Sequence, residues 1–226
     1  MMKILVACEE SQRVTMEFRK LGHEAYSADI IKESGNHPEW HIQSDALKLI
    51  NGNCKFITND GTTHEIKGKW DMIIAFPPCT YLTNTGNAWF NVKKYGDKAI
   101  QRWQNRREAA EFFMQFVNAD CDKIVIENPV GIMSTWYQKP TQVIHPYMFA
   151  KGVDDKENYV TKRTCFWLKG VDVLKTNNIE KPDNAKLFGR WSSGKAKCWE
   201  DSTTRSAKVR SKTFPGVALA MATQWG

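Results

Sequence analysis

Apolar runs alternate with amphipathic stretches from the first residues onward. Residues 3–8, Lys3-Ile4-Leu5-Val6-Ala7-Cys8, predict a buried strand. Val14, Met16, Phe18 and Leu21, separated by polar residues and closed by Gly22, predict a helix over 12–21. Residues 23–30, ending near Asp29, complete a β-α-β opening. The polar stretch 31–44 carries Gly35, Asn36 and Pro38 and reads as a loop; 45–50 reads as a short helix or turn. Alternation around Asn59-Asp60-Gly61 predicts a hairpin-like insertion over 51–69. Residues 70–76 and 123–126 read as buried strands, 99–117 as the clearest helix, Phe166-Trp167-Leu168 as a strand and 215–225 as a closing helix. This alternation implies an α/β sheet that places its ligands at the carboxyl ends of strands. Cys8, Asp29, Cys79 and Glu127 all fall at such ends.

Length and composition narrow the class. A chain of 226 residues with 42% hydrophobic content fits one domain with a sizeable core and leaves room for a small appendage. No run of about 18 apolar residues is present, so no membrane span is expected. The first ten residues turn acidic too early for a signal peptide. Six scattered cysteines, with neither Cys-x-x-Cys nor zinc-like Cys/His spacing, imply reduced thiols in a cytoplasmic compartment and no metal site. The net charge of +7 is uneven: residues 160–226 hold 13 Lys/Arg against 5 Asp/Glu, while the first 159 hold 19 against 20. Such asymmetry fits contact with a polyanion, most simply nucleic acid, and fits a solvated basic face equally well.

The candidate chemistry lies in two short stretches. Cys79 follows the apolar run 72–76 in Phe76-Pro77-Pro78-Cys79-Thr80, where two prolines remove backbone donors and fix two φ angles. A thiol on such a turn can serve as a nucleophile once it is deprotonated. Glu127 follows Ile124-Val125-Ile126 in a Glu-Asn-Pro turn. Partial desolvation there would raise its pKa and suit it to share a proton with a ring nitrogen. Alone, a cysteine after a strand is more often structural, and such a Glu often serves as a cap or ion-pair partner.

Together these residues resemble the DNA cytosine-5 methyltransferases, especially small phage-type members. The family's Pro-Cys-Gln-x-x-Ser-x-Ala-Gly loop is matched in register by Pro78-Cys79-Thr80-Tyr81-Leu82-Thr83-Asn84-Thr85-Gly86. Its Glu-Asn-Val stretch is similar to Glu127-Asn128-Pro129, and its Gln-x-Arg-x-Arg strand to Thr161-Lys162-Arg163-Thr164-Cys165. Phe214-Pro215-Gly216-Val217-Ala218 resembles the closing family motif. The resemblance implies a Rossmann-like methyltransferase sheet with helices on both faces. It divides the chain into a catalytic domain over 1–170, a minimal basic target-recognition segment over 171–212 and a returning helix over 213–226. It further implies that Cys79 adds to C6 of a flipped cytosine, that Glu127 engages N3 and the exocyclic amine, that Asn128 belongs to the catalytic set, and that Arg163 stabilises charge near the base. S-adenosylmethionine is the implied donor and DNA the implied partner, in the cytoplasm of a bacterial or phage-infected cell. Cys8, Glu9, Glu10, Asp29, Asp45 and Pro77 would line the cofactor site. Thr80, Lys162, Arg190, Trp191, Lys195, Lys197 and Arg210 would contact DNA, with Arg205 also in the basic set and Trp199 a second stacking candidate.

Two departures leave alternatives open. The family's Phe-x-Gly-x-Gly-Gly loop aligns with Cys8-Glu9-Glu10-Ser11-Gln12-Arg13, which has no glycine and carries two acids. That motivates a variant taking its carbon from methylene-tetrahydrofolate and making hydroxymethylcytosine. The short 171–212 segment implies little or no sequence readout. A catalytically silent DNA-binding homologue and an enzyme acting on free nucleotides are the readings from other classes.

Overall fold

The computed structural model describes residues 1–201 and 206–226, apart from the side chains of Glu200, Ala207 and Lys208; Arg205 lies outside the described residues. The strands are β1 (Lys3–Ala7), β2 (Glu24–Asp29), β3 (His41–Gln43), β4 (Cys54–Ile57), β5 (Thr63–Ile66), β6 (Met72–Ala75), β7 (Ile124–Pro129), β8 (Gln142–Ile144) and β9 (Thr164–Lys169). The helices are α1 (Arg13–Lys20), α2 (Val92–Tyr95), α3 (Asp97–Val117), α4 (Met133–Trp136), α5 (Asn184–Phe188), α6 (Ala207–Ser211) and α7 (Pro215–Trp225). Seven strands form one sheet in the order β3-β2-β1-β6-β7-β9-β8. The first five are parallel, and β9 runs antiparallel to both its neighbours. β4 and β5 form the separate antiparallel hairpin that the alternation over 51–69 predicts.

Alternating strand residues serve two apolar layers. Leu5 and Ala7 of β1 face α3, where Ala110, Phe113 and Phe116 are buried. Ile4 and Val6 face α1 and α7, against Val14, Phe18, Val217 and Met221. Helices therefore cover both faces of the α/β sheet, which is why β1 and β6 read as unbroken apolar runs. Each such Phe contributes roughly 1.5–3 kcal/mol by leaving water. Leu174 and Trp199, within the basic segment 171–212, are buried against the α7 layer. Among the described residues no helix is long and apolar enough to cross a membrane.

Two expectations are corrected. The stretch 31–44 is not all loop: a 3-10 turn at Pro38–Trp40 leads into β3, which extends the sheet edge beside β2. Glu127-Asn128-Pro129 is the end of β7 itself, not a turn beyond it. The cause is the reversed neighbour: β9 pairs Phe166, Cys165 and Thr164 with Glu127, Asn128 and Pro129. On the other side, pairing with β6 stops at Ala75↔Ile126. Beyond that point Pro77 and Pro78 carry no N–H. A notch results beside the last residues of β7, close to where strand order reverses between β1 and β6.

Candidate active site

Cys79 and Glu127 meet at this notch. The buried Asn128 side chain donates its Nδ2–H to the carbonyl of Pro77 at 2.8 Å, across 51 residues of sequence. After Cys79 the chain turns, with the amides of Leu82 and Thr83 both donating to the Cys79 carbonyl at 3.0 Å. It then lies against the segment following β7: Thr83 bridges to Gly131, and the Ile132 amide donates to the Leu82 carbonyl at 2.9 Å. That approach requires a glycine, because a Cβ at Gly131 would lie 2.1 Å from the Leu82 carbonyl oxygen. Asn128, Pro77 and Gly131 thus hold the Cys79 loop against the end of β7 and the segment that follows it.

The electrostatics follow from this crowding. Burial raises the Glu127 pKa, and Lys162 acts against the rise. Cys79 is exposed as a residue, yet partial desolvation of its thiol raises its pKa, with Glu127 adding to the rise and Lys162 and Arg210 opposing it. The pocket beside Glu127 is lined by Phe76, Lys162, Thr164, Phe166 and Phe214. Thr164 and Phe166 of β9, with Lys162 two residues before that strand, therefore face the pocket beside Glu127. Arg163 is exposed and acts instead on His145, whose pKa burial lowers and Arg163 lowers further, and on Cys165, whose pKa burial and Glu127 raise against the opposing effect of Arg163. The cation beside Glu127 is Lys162; the one-residue offset along an extended chain moves Arg163 away from it. Lys162 also donates to the Arg210 carbonyl at 2.8 Å and lies 5.9 Å from the Phe214 ring, so the segment before α7 closes one wall of the pocket.

The loop after β1 departs from a glycine-rich cradle in a specific way. Cys8 and Gln12 both have left-handed backbone, with φ of 60° and 57°. Such conformations cost a side-chain-bearing residue about 1–3 kcal/mol. The fully buried Gln12 amide offsets this by donating to the His37 carbonyl at 2.8 Å and accepting from the His37 amide at 3.1 Å. Glu9 is not available to a cofactor. Its Oε1 accepts from the Val14 amide at 2.7 Å, and its Oε2 accepts from the Thr15 amide and hydroxyl at 3.2 and 2.8 Å. The expectation that Glu9 binds a ligand is corrected: its carboxylate already fills the start of α1, where the helix dipole favours an anion. Glu10 is different, since both its carboxylate oxygens are buried and lack a hydrogen-bond partner. Asp29 stands at the end of β2 with Oδ1 accepting from the Ile31 amide at 3.1 Å; burial raises its pKa, and Glu10 adds to that rise. Cys8, whose thiol pKa is driven up by burial and then by Asp29 and Asp45, belongs to the same acidic corner. Exposed Asp45 caps the following 3-10 turn through the Leu47 amide.

The Glu9 geometry gives a pH prediction. Burial lifts its pKa from 4.5 to about 7, against the hydrogen bonds from Val14 and Thr15. The folded state then holds this proton more tightly than the unfolded chain does. Its stability contribution is complete below pH 4.5 and is lost as pH rises through about 7. The loss amounts to about 3 kcal/mol. Glu9→Gln keeps an acceptor but does not titrate. Urea unfolding from pH 4.5 to 7.5 is expected to show the parent losing stability relative to the variant; parallel curves would refute the assignment.

The basic segment assembles part of its expected set. Arg190 and Ala196 form a bridge, the Trp191 amide donates to the Lys195 carbonyl at 2.9 Å, and the Lys197 ammonium lies 4.9 Å from the Trp191 ring. Arg190, Trp191, Lys195 and Lys197 thus sit on one small hairpin, with Trp191 exposed. Trp199 is not a stacking platform: it is buried, edge-on to Phe214 at 4.9 Å. Thr80 is exposed beside Cys79, and Arg210 acts on the Cys79 thiol.

Sequence reasoning missed the contributions of Gly131 and Phe214 to this site, and named Lys162 as a DNA contact without foreseeing that it stands beside Glu127. The available signal was the alternation Lys162-x-Thr164-x-Phe166, which puts Lys162 in phase with a buried aromatic. Among the described residues no group of three or more His, Cys, Asp or Glu could hold a metal ion. Neither a protein-family model nor a curated protein matches this chain.

Proposed function

We propose that this protein transfers a one-carbon unit to C5 of cytosine in DNA, as a cytosine-5 methyltransferase with S-adenosylmethionine as donor. The observation that carries the reading is the convergence of Cys79, Glu127 and Lys162 at one notch, tied together by the Asn128–Pro77 hydrogen bond. The basic hairpin around Trp191 supports a polyanionic substrate.

The chemistry follows from the charges. Burial favours neutral Glu127, and in that state only partial desolvation still opposes the Cys79 thiolate, while Lys162 and Arg210 favour it. The thiolate adds to C6, forming the S–C6 bond. The C5–C6 π pair shifts to C4–C5, and the C4–N3 pair moves to N3, which takes the Glu127 proton. Lys162 stands beside the carboxylate this creates. C5 is now an enamine carbon and attacks an electrophilic carbon, whose bonding pair leaves on the donor heteroatom; C4=N3 re-forms and the N3 proton returns to Glu127. A solvent base then takes the C5 proton, the C5–H pair re-forms C5=C6, and the C6–S bond breaks to release the Cys79 thiolate.

S-adenosylmethionine supplies an electrophilic methyl group when bound. Asp29 and the unpartnered Glu10 carboxylate suit hydroxyl and ammonium donors. The start of α1, filled by Glu9, offers no place for a carboxylate. That occupancy favours a second reading, in which the carbon comes from methylene-tetrahydrofolate and the product is hydroxymethylcytosine. Incubation of DNA with each donor, followed by digestion to nucleosides and mass analysis, separates the two. We expect 5-methylcytosine with S-adenosylmethionine. Hydroxymethylcytosine with the folate alone selects the second reading, and no modified cytosine with either donor overturns both. Salt-insensitive turnover of free dCMP would move the chemistry from polymer to nucleotide.

A further inference from the structure

The charge balance of −1 over the first 159 residues conceals a strongly basic stretch. Between Cys79 and Arg107 there are six cations (Lys93, Lys94, Lys98, Arg102, Arg106 and Arg107) and one acid, Asp97. Among the described residues none of the six cations is paired with an acid. The Nε of Arg102 is buried without a hydrogen-bond partner, while its guanidinium lies 5.2 Å from the Tyr81 ring and 4.9 Å from the Phe90 ring.

Aromatic rings are interleaved with these cations. Trp89 is 57% exposed although it packs beside Tyr95 at 5.0 Å, and the Lys94 ammonium lies 5.2 Å from the Tyr95 ring. Trp103 is also exposed, held by its indole N–H to the Phe90 carbonyl at 3.1 Å. Arg106 is anchored below, with Nε donating to the Tyr81 carbonyl and Nη2 to Asn87 Oδ1, both at 2.7 Å. An open cleft of about 670 Å³ runs between Phe90, Lys94, Tyr95, Trp103 and Arg106. It opens from the same chain segment as Cys79, whose loop is fixed to the end of β7 through Thr83 and Gly131.

We infer that this face, built from the segment after Cys79 and the first turns of α3, binds single-stranded nucleic acid, with Trp89 and Tyr95 stacking on bases and Lys93, Lys94 and Lys98 meeting phosphates. Uncompensated positive charge selects a polyanion. Exposed rings beside the cations select one whose base faces are open, and a duplex hides those faces. The inference deepens the proposed cytosine chemistry by setting the strandedness of the substrate, and rests on that reading only for the approach of the strand to Cys79.

The test uses the full chain and a fluorescein-labelled oligo(dT), which contains no cytosine and reports binding apart from chemistry. Anisotropy titrations across a range of salt are expected to show oligo(dT) bound at least tenfold more tightly than duplex DNA of equal length. Trp89→Ala is expected to weaken oligo(dT) binding by about five- to hundredfold. Lys93→Gln with Lys94→Gln is expected to reduce the salt slope by roughly 1.4. Both changes lie on exposed side chains, and unchanged urea midpoints confirm folding. Equal affinity for duplex, absence of oligo(dT) binding, or binding that ignores Trp89 overturns the inference. If modified cytosine still forms in those cases, the proposed chemistry stands without it. If the variants lose oligo(dT) but no cytosine is modified by the parent, the surface stands and the chemistry fails.

Discussion

Cys79→Ser is expected to abolish the covalent complex with DNA containing 5-fluorocytosine and to lower cytosine turnover by about 10⁴-fold or more. Once C5 has accepted the transferred carbon, elimination requires the C5 substituent to leave as a cation; a proton can and fluorine cannot, so in the presence of the donor the C6–sulfur bond persists and the complex survives denaturation. Serine keeps the shape of the side chain but is a far weaker nucleophile near neutral pH. Cys79 is exposed on its turn, so the substitution leaves the two apolar layers intact. Gel mobility with parent and variant, followed by peptide mapping of the adduct, provides the readout. An adduct that forms equally in Cys79→Ser, or that maps to Cys8 or Cys165, would end the case for Cys79 as nucleophile.

Gly131→Ala is expected to damage the site from a distance. The added Cβ would meet the Leu82 carbonyl oxygen at 2.1 Å, its carbon at 2.8 Å and the Thr83 Cα at 3.1 Å. These are backbone atoms and cannot rotate aside. The Cys79 loop must therefore move away from the end of β7, straining or breaking the Ile132–Leu82 hydrogen bond. We expect a stability loss of about 1–3 kcal/mol. The larger effect is on turnover: a shift of about 1 Å between reacting groups is enough for roughly 10²-fold. Urea unfolding and single-turnover rates, measured together, separate the two. Full turnover in Gly131→Ala would show that the loops do not depend on this approach. Asn128→Ala tests the companion tie, leaving the Pro77 carbonyl short of its donor at a cost of about 1–3 kcal/mol.

Much of the frame was legible because it is local. The β-α-β opening, the hairpin at 54–66, the long α3 and the closing α7 all follow from periodicity and from Gly, Asn and Pro at their ends. Strands of three residues, β3 and β8, were not legible: they are too short to show a period and exist because neighbouring strands offer them partners. Charge counted over long blocks also hid the cations between Lys93 and Arg107, of which Lys94 and Arg106 come to line one cleft only when α3 packs beside the segment that follows Cys79.

The sequence alone determined that Cys79 follows a buried strand on a proline-stiffened turn, and that Glu127 closes another apolar run. Those facts need only chain order and covalent restriction of φ. Only the tertiary structure decided that Glu127 lies within a strand, that Lys162 and not Arg163 stands beside it, and that Glu9 is consumed by α1 while Glu10 is left unpartnered. It also decided that the Cys79 loop touches the end of β7 and the segment after it. Each of these depends on pairing register or on close approach between residues far apart in the chain, such as Asn128 with Pro77 across 51 positions. Such contacts are set by the packing of the whole sheet, and no local pattern of residues encodes them.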